Sequence, residues 1–471
     1  MNRRDFMKML GILGVSVLAS PSILGSKSFA TSLPEIGDFV GFIQNEIGYE
    51  KPNILPKVIN IYLYGGASEL AGNLTNIHEI NQYSQNPYPQ ELLKDPDDDN
   101  SEVTKNFLWR SAGGDIMERL LASGDMSIYR TVHRIKSDTK SHELSIKQNL
   151  IGNLDISRPG MATTLAAILS VFNPYGKDIK EMKLPFVTFE GNSAVFNKGN
   201  VNVSDLIQPI TLTPDFSNPY ARKRNKYVSN SINSKLDNLA MKINDELNSR
   251  FSRVNQNFAS RKKVDEYISS IFNKEIVEQN LPVDPETGDK VQYPDNITGK
   301  MLEAAVSLAI INPETIFISL GSAGTGLWDD HSDGIIDYPV RMRQLMEAID
   351  VAVKHIKLAG RNDIIINVFG DFGRNVNLNS ARGWDHGNNQ NLYTFGGSAI
   401  EGRQLGKIVG KTKRIGTPYK NRQFTAPTDD SYQFEPFAIA STIYKYFGVQ
   451  NPEDITGELA INENAPNELI T

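Results

Sequence analysis

The 471-residue sequence contains no cysteine. Disulfides, thiolate-ligated zinc and cysteine nucleophiles are therefore excluded, and histidine and carboxylate remain as the strong metal-binding side chains. Histidine is itself scarce, at six residues. There is no basic excess either: Lys and Arg number 49 against 55 Asp and Glu, for a formal net charge of -6. A nucleic-acid partner would ordinarily show as a basic stripe, and the short clusters Arg222–Lys226 and Arg261–Lys263 read as solvated helix surface. Repeats of fixed period and low-complexity tracts are also missing.

No apolar run is long enough to span a bilayer. The longest candidate, Met9–Ala19, has about half of the roughly twenty residues that a spanning helix needs. It follows Arg3, Arg4 and Phe6 and precedes Ser28, Phe29 and Ala30, which together read as a twin-arginine export signal with a small-x-small cleavage site. The expectation is a signal over residues 1–30, a folded domain over 31–471, the twin-arginine translocase as a partner during export, no stable transmembrane segment, and a periplasmic or secreted product.

What the chain does have is short β-type runs separated by helical periodicity. KVINIYLY (Lys57–Tyr64), PFVTF (Pro185–Phe189), TIFISL (Thr315–Leu320) and IIINVF (Ile364–Phe369) are mostly continuous rather than alternating, as in strands buried on both faces of a parallel sheet. Between the last two, Met342, Leu345, Met346, Ile349, Val353 and Ile356 fall on one face of a helix over Tyr338–Leu358. A second helix is expected over Glu435–Phe447. The polar stretch 225–280, with Leu236, Leu239, Met241, Ile243 and Leu247, reads as a helical insertion. The fold class is α/β, with a largely parallel central sheet flanked by helices.

The chemistry concentrates late in the chain. WDDHSD supplies Asp329, Asp330 and His331, GDFGR supplies Asp371 and Arg374, and WDHG supplies Asp385 and His386. Each follows an apolar run, where loops at strand ends carry function. Carboxylates held close repel one another unless a cation neutralises them, so Asp329, His331, Asp371, Asp385 and His386 are candidate ligands for divalent metal. Arg374 is either a second neutraliser or a bidentate clamp for an oxyanion substrate. Earlier, Ser141 and His142 open a helical pattern. Ser141 reads as an N-cap or as a nucleophile placed where the helix terminus favours negative charge, and His142 as a further ligand. Other motifs fail on detail. DPDDDN (Asp95–Asn100) lacks the glycine and closing glutamate of a calcium loop, and GRQLGKIVGKT (Gly402–Thr412) has Leu405 where a phosphate loop needs glycine. His355 lies inside the long helix with no acidic neighbour and reads as surface or packed.

Taken in order, KVINIYLYGG, RTVHRIKSDTKSHE, WDDHSD, GDFGR, WDHG and GGSAIEGRQLGKIVG resemble the bacterial family called domain of unknown function 1501, from about Lys57 to Gly457. That family is similar to the alkaline phosphatase and sulfatase superfamily. The resemblance implies an alkaline-phosphatase-like α/β sandwich with metal ligands at strand ends: Asp329 and His331 from the central segment, Asp371 from the later strand end, and Asp385 with His386 as the last element. Two positions depart from it. This chain reads GGASEL where the family pattern reads GGxDGL, so Ser68 replaces an aspartate ligand and Glu69 is the nearest substitute; Asp371 stands where glutamate is common.

The expected function is an exported metal-dependent hydrolase of phosphate or sulfate esters, on a small-molecule or polysaccharide substrate, with zinc, calcium, magnesium or manganese as cofactor and either Ser141 or a metal-activated water as nucleophile. The competing expectation is a non-catalytic binding or structural module of the cell envelope that keeps the fold.

Overall fold

The computed structural model describes residues 39–137, 139–191, 193–199, 209–217, 219, 264, 266–417 and 422–471. The expected export signal lies outside them, as do both basic clusters and most of the expected insertion. Within the insertion range, residues 266–271 and Lys274–Asn280 are helical. No helix among the described residues is long and apolar enough to cross a membrane.

Eight strands form the main sheet: β1 (Lys57–Leu63), β2 (Met126–His133), β3 (Phe186–Thr188), β4 (Ile210–Thr211), β5 (Phe317–Gly321), β6 (Ile364–Gly370), β7 (Asn389–Gly396) and β8 (Lys407–Val409). Their order is β4-β3-β5-β1-β6-β7-β2-β8. All neighbouring pairs are parallel except the two that β7 makes, so β7 alone runs against the rest. Strands β9 (Thr412–Gly416) and β10 (Gln423–Pro427) form a separate antiparallel pair.

The four runs expected as strands become β1, β3, β5 and β6, which are contiguous in the sheet. Every residue of β1 and β6 is buried, as a strand covered on both faces requires. Ile59 sits opposite Ile318 on one side and Ile366 on the other. Successive side chains of β1 then serve different layers. Ile59, Ile61 and Leu63 join one large core with Leu302, Ala305, Met342 and Leu345 of the Ile297–Ile311 and Gly334–Leu358 helices. Asn60 and Tyr62 point the other way, to Met161 of the Met161–Phe172 helix and Asn149 of the His142–Ile151 helix. The result is a helix–sheet–helix sandwich in which each fully buried Ile or Leu contributes roughly 1.5–3 kcal/mol.

The helix expected from Tyr338 begins one turn earlier, at Gly334, and carries Pro339 in its second turn, where the missing N–H forgoes one helical bond, to the Ile335 carbonyl. His355 is packed rather than exposed. It is 1% accessible, its Nδ1 lies 3.0 Å from the Tyr293 hydroxyl, and burial lowers its pKa to about 4. The acidic Asp95–Asn100 run is an exposed turn, as expected.

Candidate metal centre

Because seven strands run the same way, the loops after β1, β2, β5 and β6 all leave from one edge of the sheet, the usual ligand-binding edge of a parallel α/β fold. After β1 the chain turns through Gly65 and Gly66, at φ +105° and +72°. Both must be glycine. A Cβ on Gly65 would sit 2.5 Å from the Asp329 nitrogen, and one on Gly66 would sit 2.7 Å from the Phe372 oxygen. The missing side chains let the loops that carry Asp329 and Asp371 close over the strand end.

Arg374 locks this arrangement. Its guanidinium donates to the carbonyls of Gly66 (2.6 Å), Trp384 (3.1 Å), Trp328 (3.1 Å) and Gly65, and pairs with Asp329 Oδ1 at 2.8 Å. The side chain is wholly buried. Every nitrogen is engaged by the protein, so none is turned toward an incoming oxyanion, and the guanidinium stands where it neutralises Asp329.

Four of the sequence candidates converge. His142, Asp329, His331 and His386 each offer a donor atom, all within 4.8 Å of one another. Nε2 of His142 lies 3.3 Å from Asp329 Oδ1, Nε2 of His331 lies 3.1 Å from it and Nε2 of His386 lies 3.9 Å from it. Nε2 of His386 is also 3.1 Å from Nε2 of both other histidines. A tetrahedral ion with ligand bonds of about 2.0–2.1 Å sets its donors about 3.3 Å apart, which these separations bracket.

The outer nitrogens are equally ordered. Nδ1 of His142 faces Asp371 Oδ2 at 2.8 Å, Nδ1 of His331 faces Asp385 Oδ1 at 3.3 Å, and Nδ1 of His386 faces the Lys140 carbonyl at 2.8 Å. A carbonyl can only accept, so His386 carries its proton on Nδ1 and turns the Nε2 lone pair inward. The two carboxylates favour the same tautomer in their own imidazoles, an outer-shell arrangement that metal-binding histidines ordinarily show.

Asp371 and Asp385 therefore stand one hydrogen bond further out than expected. Asp371 is fully buried and also accepts from the Gly65 N–H at 3.0 Å. Shortened by a methylene relative to glutamate, it reaches His142 and is not among the four converging donors. Ser141 occupies the N-cap position of the His142–Ile151 helix, with extended backbone, but its side chain makes no cap bond. It is exposed, and its hydroxyl has no partner among the described residues. Ser68 is buried, its carbonyl accepting 2.5 Å from the Tyr338 hydroxyl. Glu69 does not replace the missing aspartate: its carboxylate is held by Asn73, Asn389 and Thr425, none of them in the cluster.

The charges are mutually supporting. Burial would pull His142 down, but Asp329 and Asp371 outweigh it and raise its pKa to about 9. Burial also works against an ionised Asp329, yet His142, His386 and Arg374 hold it well below the usual carboxylate range. Asp371 is raised by burial, with His142 opposing. The acids and imidazoles thus stabilise one another's charge.

Sequence reasoning missed the supports of this shell. Arg134, 1% exposed, donates to Asn149 Oδ1 (2.9 Å) and to the Asp371 carbonyl (3.3 Å), and Asn149 donates to the same carbonyl at 2.8 Å. Arg134 lies in the RTVHRIKSD stretch and was within reach. The Lys140 carbonyl, being backbone, leaves no mark in a sequence.

The chain matches the family described as "Protein of unknown function (DUF1501)" over residues 56–429. Solved structures of Ps i-CgsB, one in complex with k-i-k-neocarrahexaose, are similar at 10% identity over 88% of this chain and 75% of theirs, with TM-scores of 0.35 and 0.36. No curated protein matches it.

Proposed function

The chain belongs to the DUF1501 family, and from its own site we propose that it is a metal-dependent hydrolase of phosphate or sulfate esters, exported to the periplasm or beyond. One observation carries the reading: three imidazoles, each held by an acceptor at Nδ1, turn Nε2 toward a single carboxylate oxygen. Three nitrogens and one oxygen suit zinc or a similar transition ion better than calcium or magnesium, which favour all-oxygen shells. Bound there, the ion would neutralise ester oxyanion charge and make a water nucleophilic near neutral pH.

The residues have separate tasks. His142, His331, His386 and Asp329 would hold the ion, and Asp371 and Asp385 would fix two of the rings. Arg374 keeps Asp329 ionised and ties three loops together. His331, Asp385 and Asp329 are 45%, 41% and 38% exposed, so this is the side from which an ester, on a small molecule or a polysaccharide, would approach. Ser141, exposed with an unengaged hydroxyl, is the candidate protein nucleophile. The likeness of the motifs to the alkaline phosphatase and sulfatase superfamily supports the same reading.

A non-catalytic role has one observation in its favour: four protein donors fill a tetrahedral shell, as in structural sites, and the first-strand position is Ser68. A screen of phosphate and sulfate monoesters with zinc- or manganese-loaded protein separates the two. Turnover that disappears in Asp329→Ala and His331→Ala is expected. Full metal occupancy without turnover of any ester would favour the structural reading.

A further inference from the structure

The turn before the Met161–Phe172 helix holds a second set of groups that the metal centre does not use. Arg158 has a side chain only 8% exposed, and its ion-pair partner, Asp155, lies 3.8 Å from Nε, is 55% exposed and gives its other oxygen to Ser157. Nε and Nη1 of Arg158 are buried and have no hydrogen-bond partner among the described residues. Two residues further on, the twelve-residue helix starts behind Gly160, which has no side chain to cap it. Thr164 is the first N–H to find an acceptor, on Gly160 at 2.8 Å. Those of Met161, Ala162 and Thr163 have none among the described residues, although all three residues are buried. The Thr163 hydroxyl is also buried without a partner among the described residues.

Buried donors without acceptors are strongly disfavoured, and a cation among them more so. Here a guanidinium, a hydroxyl and three N–H groups occur within six residues, and the helix dipole adds positive potential at the same end. The turn is firmly built. Gly160 donates to the Asn197 carbonyl at 2.7 Å, and a Cβ on Gly199 would lie 2.4 Å from the Ser157 oxygen.

We propose that Arg158, Thr163 and the N-terminus of the Met161–Phe172 helix form a binding site for a tetrahedral oxyanion, phosphate or sulfate, separate from the metal centre. The helix meets β1 at Asn60, where Nδ2 is 3.5 Å from Met161 Sδ. The metal centre is built instead on the loops that leave the end of that strand, beyond Leu63. A protein acting on phosphate or sulfate esters would thus hold a second anion away from the reacting one.

Calorimetric titration of the purified full chain with inorganic phosphate, and separately with inorganic sulfate, tests the proposal. Asp329→Ala, in which no metal remains to attract the anion, should still bind one equivalent, because the site does not need the metal, and the Arg158 and Thr163 variants are compared by the affinity of that metal-independent site. Arg158→Gln should lose about tenfold or more, and Thr163→Val severalfold, with metal content unchanged in both. If Arg158→Gln does not fold, Arg158→Lys and Thr163→Val decide. Unchanged affinity in Thr163→Val and the Arg158 variants, loss of binding in Asp329→Ala, or no binding of either anion at millimolar concentration would each overturn it. Metal content and ester turnover are measured independently, so failure here is distinguishable from failure of the hydrolase reading.

Discussion

At the scale of single residues, the distinction that matters is between the groups that would touch the ion and those that aim them. Asp371 aims His142 and is not one of the four converging donors. Asp371→Asn should therefore weaken metal binding by about 10–100-fold rather than abolish it, read by competition with a chromophoric chelator. Asp329→Ala should abolish it. The same pair sets a pH dependence. His142 has a pKa of about 9 in the folded protein against an ordinary 6.5, so its proton stabilises the metal-free fold fully below about 6.5 and that contribution is lost as pH rises through 9. The ion competes with this proton. Metal affinity should climb by up to about tenfold per pH unit between these values and level off above them; an affinity flat from pH 6.5 to 9 would contradict the arrangement. Glu69 gives a second test with no metal involved. Burial raises its pKa to about 8 despite hydrogen bonds from Thr425, Asn389 and Asn73. A raised carboxyl stabilises the fold below its unfolded value near 4.5, and that stability is lost as pH rises through 8. Glu69→Gln should melt close to wild type at pH 4.5 and above it at pH 8.

At the scale of elements, the strand ends position the chemistry and the glycines allow it. Gly65→Ala would force a side chain at φ +105° into the Asp329 backbone, at a cost of about 1–3 kcal/mol for the backbone strain alone. A lower melting temperature together with lost metal is expected, while Gly288→Ala, in open space at φ +77°, should pay the strain and keep the metal. This is also where the sequence is most and least informative. Continuous apolar runs revealed β1, β3, β5 and β6, because a strand covered on both faces leaves no room for polar alternation. They did not reveal β7, which opens with Asn389, Gln390 and Asn391, all buried. Amide groups of Asn389 find Glu69 and Arg130, partners distant in sequence, while Asn389 Oδ1, Gln390 Nε2 and Asn391 Oδ1 have none among the described residues. The site divides in the same way. Residue type and spacing brought together His142, Asp329, His331 and His386 across nearly 250 residues of chain. They could not rank Asp371 against Asp329, since inner and outer carboxylates look alike in one dimension, nor show that Arg374 would be consumed by backbone carbonyls.

At the scale of the whole molecule, a sandwich with its chemistry at one sheet edge is joined in the sequence to an expected export signal. Expression behind that signal should deliver folded protein outside the cytoplasm, and Arg3→Lys with Arg4→Lys should retain it inside, as cell fractionation would show. The central claim is the metal centre itself. The most direct measurement is elemental analysis of the full chain purified without chelators, paired with X-ray absorption of the bound ion. The account predicts about one transition ion per chain, zinc or a close relative, in a shell of three nitrogens and one or two oxygens near 2.0–2.1 Å, and its absence from Asp329→Ala. Metal-free wild-type protein that also fails to take up zinc or manganese, or an all-oxygen shell around a bound ion, would contradict it.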